Sequence, residues 1–133
     1  MASIRKEVFI DVTPAAAWDA LRDVGALHTR LVAGFATDCR MDGDARIVTF
    51  ANGTQARELI VDVSDGEQRV AWSVVGGRMS HHNASAQVFA EGPQRCRIVW
   101  IADLLPHELA PAIGGMMEQG VAAMKRTLES AHH

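Results

Sequence analysis

Apolar and polar residues alternate from Ile4 to Val12, with Ile4, Val8, Ile10 and Val12 on one face and Arg5, Glu7 and Asp11 on the other. A period of two is that of a half-buried strand. The period changes at Thr13-Pro14. Thr13 suits an N-cap, and Pro14 suits the first helical position, where its missing N–H costs nothing. Ala15 to Leu21 therefore reads as a helix, with Ala17, Trp18 and Leu21 at helical spacing. Asp23 to Val32 reads as a second short helix beyond a break at Val24-Gly25. Six strand segments follow: Phe35–Met41, Arg46–Ala51, Thr54–Val63, Arg69–Val75, Ser80–Ala90 and Arg95–Leu104. Between them stand turn signals, of which Asn52-Gly53 is the strongest, because both residues tolerate positive φ. Past Pro106 the spacing becomes helical again, and one long helix is expected over Glu108 to Glu129. Its buried stripe would be Leu109, Ile113, Met116/Met117, Gly120/Val121, Met124 and Leu128.

The order is thus β-α-α-β6-α, an α+β pattern with a seven-stranded antiparallel sheet. A lone long helix after such a run has only the sheet to receive its apolar face. The stripe mixes Gly, Ala and Met, and the facing strands carry small residues (Ala84, Ala86) beside two large indoles (Trp72, Trp100). Small residues in these places mean either close packing or an open cavity between sheet and helix. In the last strand Cys96, Ile98, Trp100 and Ala102 share the inner face. Val99 and Ile101 make its outer face partly apolar, which suggests a homodimer formed through the sheet.

The chain has 133 residues, 48% of them apolar, and a net charge of −3 with acids and bases interspersed. A length of this order is that of one domain, here residues 1–131, with enough apolar material for a core of its own. No basic patch marks a nucleic-acid partner, and no apolar run approaches the ~20 residues that span a bilayer. Met1 to Glu7 is charged and enters a strand pattern directly, unlike a signal peptide. Cys39 and Cys96 lack a C-x-x-C spacing and read as reduced, buried thiols of a cytoplasmic protein.

The chemistry-bearing candidates are few. His81 and His82 are adjacent on a strand and point to opposite faces, so they do not serve one metal together. His82 falls on the inner face by parity, where an imidazole can donate, accept or exchange a proton. Glu58 shares its face with Ala56 and Ile60. A buried carboxylate needs a partner, for which Arg46, Arg57 and His82 are the candidates. Asp103 is expected to fix the corner that ends the last strand. No phosphate-binding glycine loop, nucleophile motif, cofactor motif or metal-ligand set is present.

Several of these residues carry a family resemblance. Val12-Thr13-Pro14 with Trp18 and Leu21 is similar to the strand-to-helix opening of the bacterial polyketide cyclase/dehydrase-like branch of the helix-grip superfamily (START/Bet v 1-like, or SRPBCC, proteins). Asn52-Gly53 with Arg57-Glu58 and Asp62 is similar to its central hairpin. Ser80 to Ala84, Val99-Trp100, Asp103, Gly120 and Met124-Lys125-Leu128 complete the pattern. The resemblance implies a curved sheet wrapped around the C-terminal helix, on a fold that hosts cyclases, lipid carriers and hormone receptors.

Three functions are weighed. The first is binding of a small apolar or amphipathic molecule, with Phe50, Trp72, Ala84, Trp100, Ile113, Met116, Met117 and Gly120 as binding residues. The second is a cyclase or dehydratase with Glu58 and His82 as catalytic residues facing each other across the cavity. The third is an interaction module with a filled core and an apolar patch near Val99 and Ile101.

Overall fold

The structure, a computed structural model, describes residues 2–132. Strand β1 (Ala2–Ile10) leads into helix α1 (Pro14–Leu21). The Thr13 hydroxyl accepts from the Ala16 amide at 3.1 Å and starts the helix. The expected second helix is replaced by a tight turn over Val24–Ala26 and a wider one over Leu27–Leu31. Asp23 leaves helical backbone geometry (ψ 72°), and the Val32 amide donates to the Leu27 carbonyl five residues back. Strands β2 (Ala36–Asp42), β3 (Ala45–Phe50), β4 (Gln55–Ser64), β5 (Arg69–Val75), β6 (His81–Ala90) and β7 (Cys96–Leu105) follow. A short turn over His107–Leu109 enters the long helix α2 (Ala110–His132).

One sheet holds all seven strands in the order β1-β7-β6-β5-β4-β3-β2. Every pairing is antiparallel. Strands β2 to β7 form a meander, and β1 closes against β7. The Asn52-Gly53 turn forms with Gly53 at φ 88°, and the Asn52 side-chain oxygen accepts from the Thr54 amide at 3.0 Å.

The inner face is the apolar one. Cys96, Ile98, Trp100, Ala102 and Leu104 of β7 are buried, as are Val70 and Trp72 of β5. Helix α2 lies on this face and buries Met117, Gly120, Val121, Ala123, Met124 and Leu128. Its C-terminal half is tied down: Lys125 Nζ donates to the Phe9 carbonyl at 3.2 Å, and the Ala33 amide donates to Thr127 Oγ1 at 3.1 Å. Helix α1 is fixed by Trp18, whose Nε1 donates to Asp65 at 2.9 Å. At the β7 corner, Ser3 Oγ donates to Asp103.

The sheet carries one irregularity, and one expectation needs correction. The register of β4 against β5 slips between Ile60 and Asp62. Val61 is the extra residue and stands 65% exposed, so alternation across β4 fails after Ile60. Val99 is buried within the chain, where it pairs with Glu7 on one side and Gln87 on the other. The outer face of β7 therefore does not expose the patch expected at Val99 and Ile101.

Candidate functional site

The register of the central strands sets a row of inward side chains. Arg46 of β3 pairs with Glu58 of β4, and Glu58 pairs with Val74 of β5. Strands β5 and β6 pair as far as Ser73 and Asn83. His82 stands one residue beyond, so Glu58 and His82 flank Val74 from opposite sides. Two strand spacings separate their backbones, roughly 10 Å. Arg46, Glu58 and His82 are the buried charged or titratable polar residues of the described chain, at 4%, 7% and 7% exposure.

Arg46 and Glu58 neutralise one another. Arg46 Nε donates to Glu58 Oε1 at 2.8 Å, and Nη1 donates to the Val24 carbonyl at 3.2 Å. The guanidinium also lies over the Trp72 ring, 5.4 Å from its centroid, where the ring's negative face favours a cation. Arg57, the other candidate partner for Glu58, pairs instead with Asp42 at 2.7 Å. His82 has no such support. Burial, and then the charge of neighbouring His81, hold its imidazole below the ordinary histidine pKa. It is therefore neutral at neutral pH.

These residues wall a cavity between the sheet and α2. An inner chamber of about 50 Å³ is bounded by Leu27, Leu31, Phe35, Trp72, Trp100 and Met124, among others. An outer chamber of about 380 Å³ is bounded by the β5–β6 loop (Gly76, Gly77, Arg78, Met79) and by Leu109, Ala112, Ile113 and Met116. Phe50, Glu58, Val74, His82 and Met116 line both, so they form the neck between them. Trp72 and Trp100 lie 6.2 Å apart with their rings inclined at 48°. Two buried polar atoms in this wall have no hydrogen-bond partner: His82 Nδ1 and Trp100 Nε1. Each such atom costs stability until something satisfies it.

Of the binding residues expected from sequence, Phe50, Trp72, Trp100, Ile113 and Met116 are on the cavity wall. Ala84, Met117 and Gly120 are not. Ala84 lies between Trp72 and Ala102 in the strand register, and it is Ala86 that reaches the chamber. Met117 is fully buried in the core. Gly120 is filled over by the Trp100 ring. Sequence reasoning passed over Leu27, Leu31 and Phe35, because it read Asp23 to Val32 as a short helix and Phe35 as the start of a strand, and neither reading placed them against the sheet. The open cavity also differs from the filled core that an interaction module requires. Among the described residues, no group of three or more His, Cys, Asp or Glu is placed to hold a metal ion.

The family described as polyketide cyclase/dehydrase and lipid transport matches residues 1–129. The chain belongs to that family, and its fold is the helix-grip of Bet v 1-like proteins. Among solved structures, XoxI from Bacillus cereus superposes with a TM-score of 0.87 at 16% identity, covering 100% of this chain and 99% of that one. Norcoclaurine synthase from Thalictrum flavum, in complex with dopamine and hydroxybenzaldehyde, gives 0.73 at 14% identity, covering 98% and 85%. The di-domain ARO/CYC protein BexL of the BE-7585A biosynthetic pathway gives 0.82 at 11% identity, covering 97% of this chain and 47% of BexL. At these identities the likeness is one of fold. No curated protein matches the chain in sequence. Family and fold together support a ligand-binding or cyclase role. No described helix is long and apolar enough to cross a membrane.

Proposed function

We propose that this protein binds a small apolar or amphipathic molecule in the cavity between the sheet and α2. The observation that carries the reading is an apolar cavity whose wall holds two buried polar atoms without partners, His82 Nδ1 and Trp100 Nε1. Apolar contact alone gives weak binding. Burying about 300 Å² of ligand surface at ~25 cal/mol/Å² is worth about 7 kcal/mol, and association costs at least ~4 kcal/mol. Affinity and selectivity therefore depend on hydrogen bonds at the neck. The test is native mass spectrometry of protein purified without denaturation, compared with its denatured mass. A discrete extra mass that disappears on denaturation supports the reading. A clean apo mass, together with no binding of added apolar probes, counts against it.

A cyclase or dehydratase is the second reading, favoured by the position of Glu58 and His82 on one neck. In that chemistry the Glu58 carboxylate takes a proton from a carbon beside a substrate carbonyl. The electron pair moves to the carbonyl oxygen, and His82 holds that oxygen by a hydrogen bond. Arg46 weighs against it, because its guanidinium already occupies Glu58 Oε1 by a hydrogen bond. An unchanged guest supports carriage. A precursor and product whose ratio changes on incubation supports turnover.

A further inference from the structure

We propose that the outer face of the sheet, on the side away from the cavity, is a self-complementary surface through which two copies of this chain associate. The contact centres on strands β4 to β7 and leaves aside Val99, which is covered within the chain.

Sequence and register build a knob beside a hollow. Past Ile60 the extra residue of β4 turns Val61 outward, where it is 65% exposed. Leu59 and Val75 point outward by parity, opposite to the inward Glu58 and Val74, and are exposed as well. Next to them Ala71 of β5 pairs with Ser85 of β6, and Ser85 pairs with Ile101 of β7. Two small side chains in this row leave a depression of about 270 Å³, walled by Val61, Ile101, Arg69 and Asp103. Exposed apolar groups gathered round a hollow mark a contact surface.

Charge selects the occupant. Arg57 and Arg97, the other arginines of these strands, are already paired, the first with Asp42 and the second with Glu7 and Glu91. Arg69 makes no ion pair with a described residue. Asp103 receives the Ser3 hydroxyl but no cation. In the register Asp103 opposes Asn83, and Asn83 opposes Ser73, four residues along β5 from Arg69. The two charges therefore stand at opposite ends of the hollow, with backbones roughly 17 Å apart. That exceeds a Debye length at physiological salt, so they do not neutralise one another within one copy. Asp62 lies at the margin beside Val61, open to solvent. A face with a knob, a hollow, a cation and an anion is complementary to itself, as a two-fold contact requires. An axis over Ser85, midway between the charges, sets each Arg69 against the partner's Asp103. The same rotation carries the partner's Val61 toward Leu59 and Val75.

Area sets the strength. Four strand spacings by six residues make a face of roughly 400 Å² per copy. A standard interface buries about 800 Å² per partner. A reversible dimer with a Kd of about 10–1000 μM is therefore expected.

Sedimentation velocity over a concentration series reaching about 1 mM tests this. The wild type is expected to pass from monomer toward dimer, less so at high salt. Val61→Lys changes a side chain that the core does not use, and is expected to weaken association at least about tenfold. Arg69→Asp and Asp103→Arg each set like charges across the contact and are expected to be monomeric alone. An equal mixture of these two variants is expected to form a heterodimer, because every contact across the axis then joins opposite charges. Circular dichroism confirms that each variant is folded before mixing. A wild type that stays monomeric throughout overturns the inference and leaves the face to an unlike partner. A dimer unmoved by Val61→Lys and by both charge variants overturns it too, as does the absence of a heterodimer from folded variants.

Discussion

A Cβ built on Gly120 would stand 2.5 Å from Trp100 Cζ3 and 3.2 Å from Cη2. The absence of a side chain at Gly120 is thus what lets the edge of the indole come up against the helix. This glycine is there for close approach and not for backbone freedom.

Gly120→Ala is accordingly expected to destabilise the protein despite alanine's better helix propensity. Overpacking costs ~1–3 kcal/mol, and the propensity change returns about 1 kcal/mol. A net loss of up to about 2 kcal/mol is expected, read from the urea midpoint. The double variant Gly120→Ala/Trp100→Phe should lose less than the sum of the two single changes, because the clash needs both partners. Additive losses would mean that the ring moves aside freely.

Breaking the Arg46–Glu58 pair should be costly. Their side chains are 5% and 10% exposed, so removal of one leaves the other charged and buried. Glu58→Leu is expected to cost about 3–5 kcal/mol, whereas Arg46→Met/Glu58→Leu together should be close to neutral. Equilibrium denaturation of the three variants measures both. A mild single variant would show that the pair is better hydrated than its burial indicates.

His82 gives the fold a pH dependence whose direction is fixed. In the unfolded chain this histidine takes up a proton as pH falls through about 6.5. In the folded protein burial, and then His81, lower that value. Between the two values the unfolded state binds more protons, so stability declines as pH falls. The loss begins near pH 6.5 and is complete at the lower folded-state value. Urea midpoints at about pH 7.5 and about pH 5.5 should therefore differ more in the wild type than in His82→Gln. An equal difference in both would exclude His82 as the source.

Both thiols should be silent in the native state. Cys96 is fully buried, and burial pushes its pKa up to about 11. Cys39 is shifted upward as well, chiefly by burial. A thiol reagent near pH 8 is expected to label neither in the folded protein and both in denaturant. Rapid native labelling at one site would mean local opening there.

The strands that alternate cleanly were readable from the sequence, because side-chain direction follows parity. His82 is inward for the same reason that Ala86 and Val88 are. Parity could not see the extra residue at Val61, since both faces of β4 are apolar on either side of it. Nor could it tell that Val99 is covered by its neighbours on β1 and β6, which depends on strand order. Gly120 looked like a gap in the helix stripe until Trp100 was placed against it. Glu58 needed a basic partner, but choosing Arg46 over Arg57 required the register of β3 on β4. The segment that carries Leu27, Leu31 and Phe35 into the chamber wall read as a short helix and a strand start, whereas it folds as two consecutive turns and a loop, whose side-chain directions no regular period gives.

The buried positions of α2 run from Met117 to Leu128, while its contribution to the outer chamber ends at Met116. The helix is therefore divided along its length: the part that holds the protein together is not the part that borders the doorway. The first turns of the helix and the Gly76-Gly77 loop together border the outer chamber, whereas the fully buried positions of the helix lie further along it. A substitution in those first turns can therefore reshape the mouth of the cavity while the buried positions from Met117 onward keep their packing.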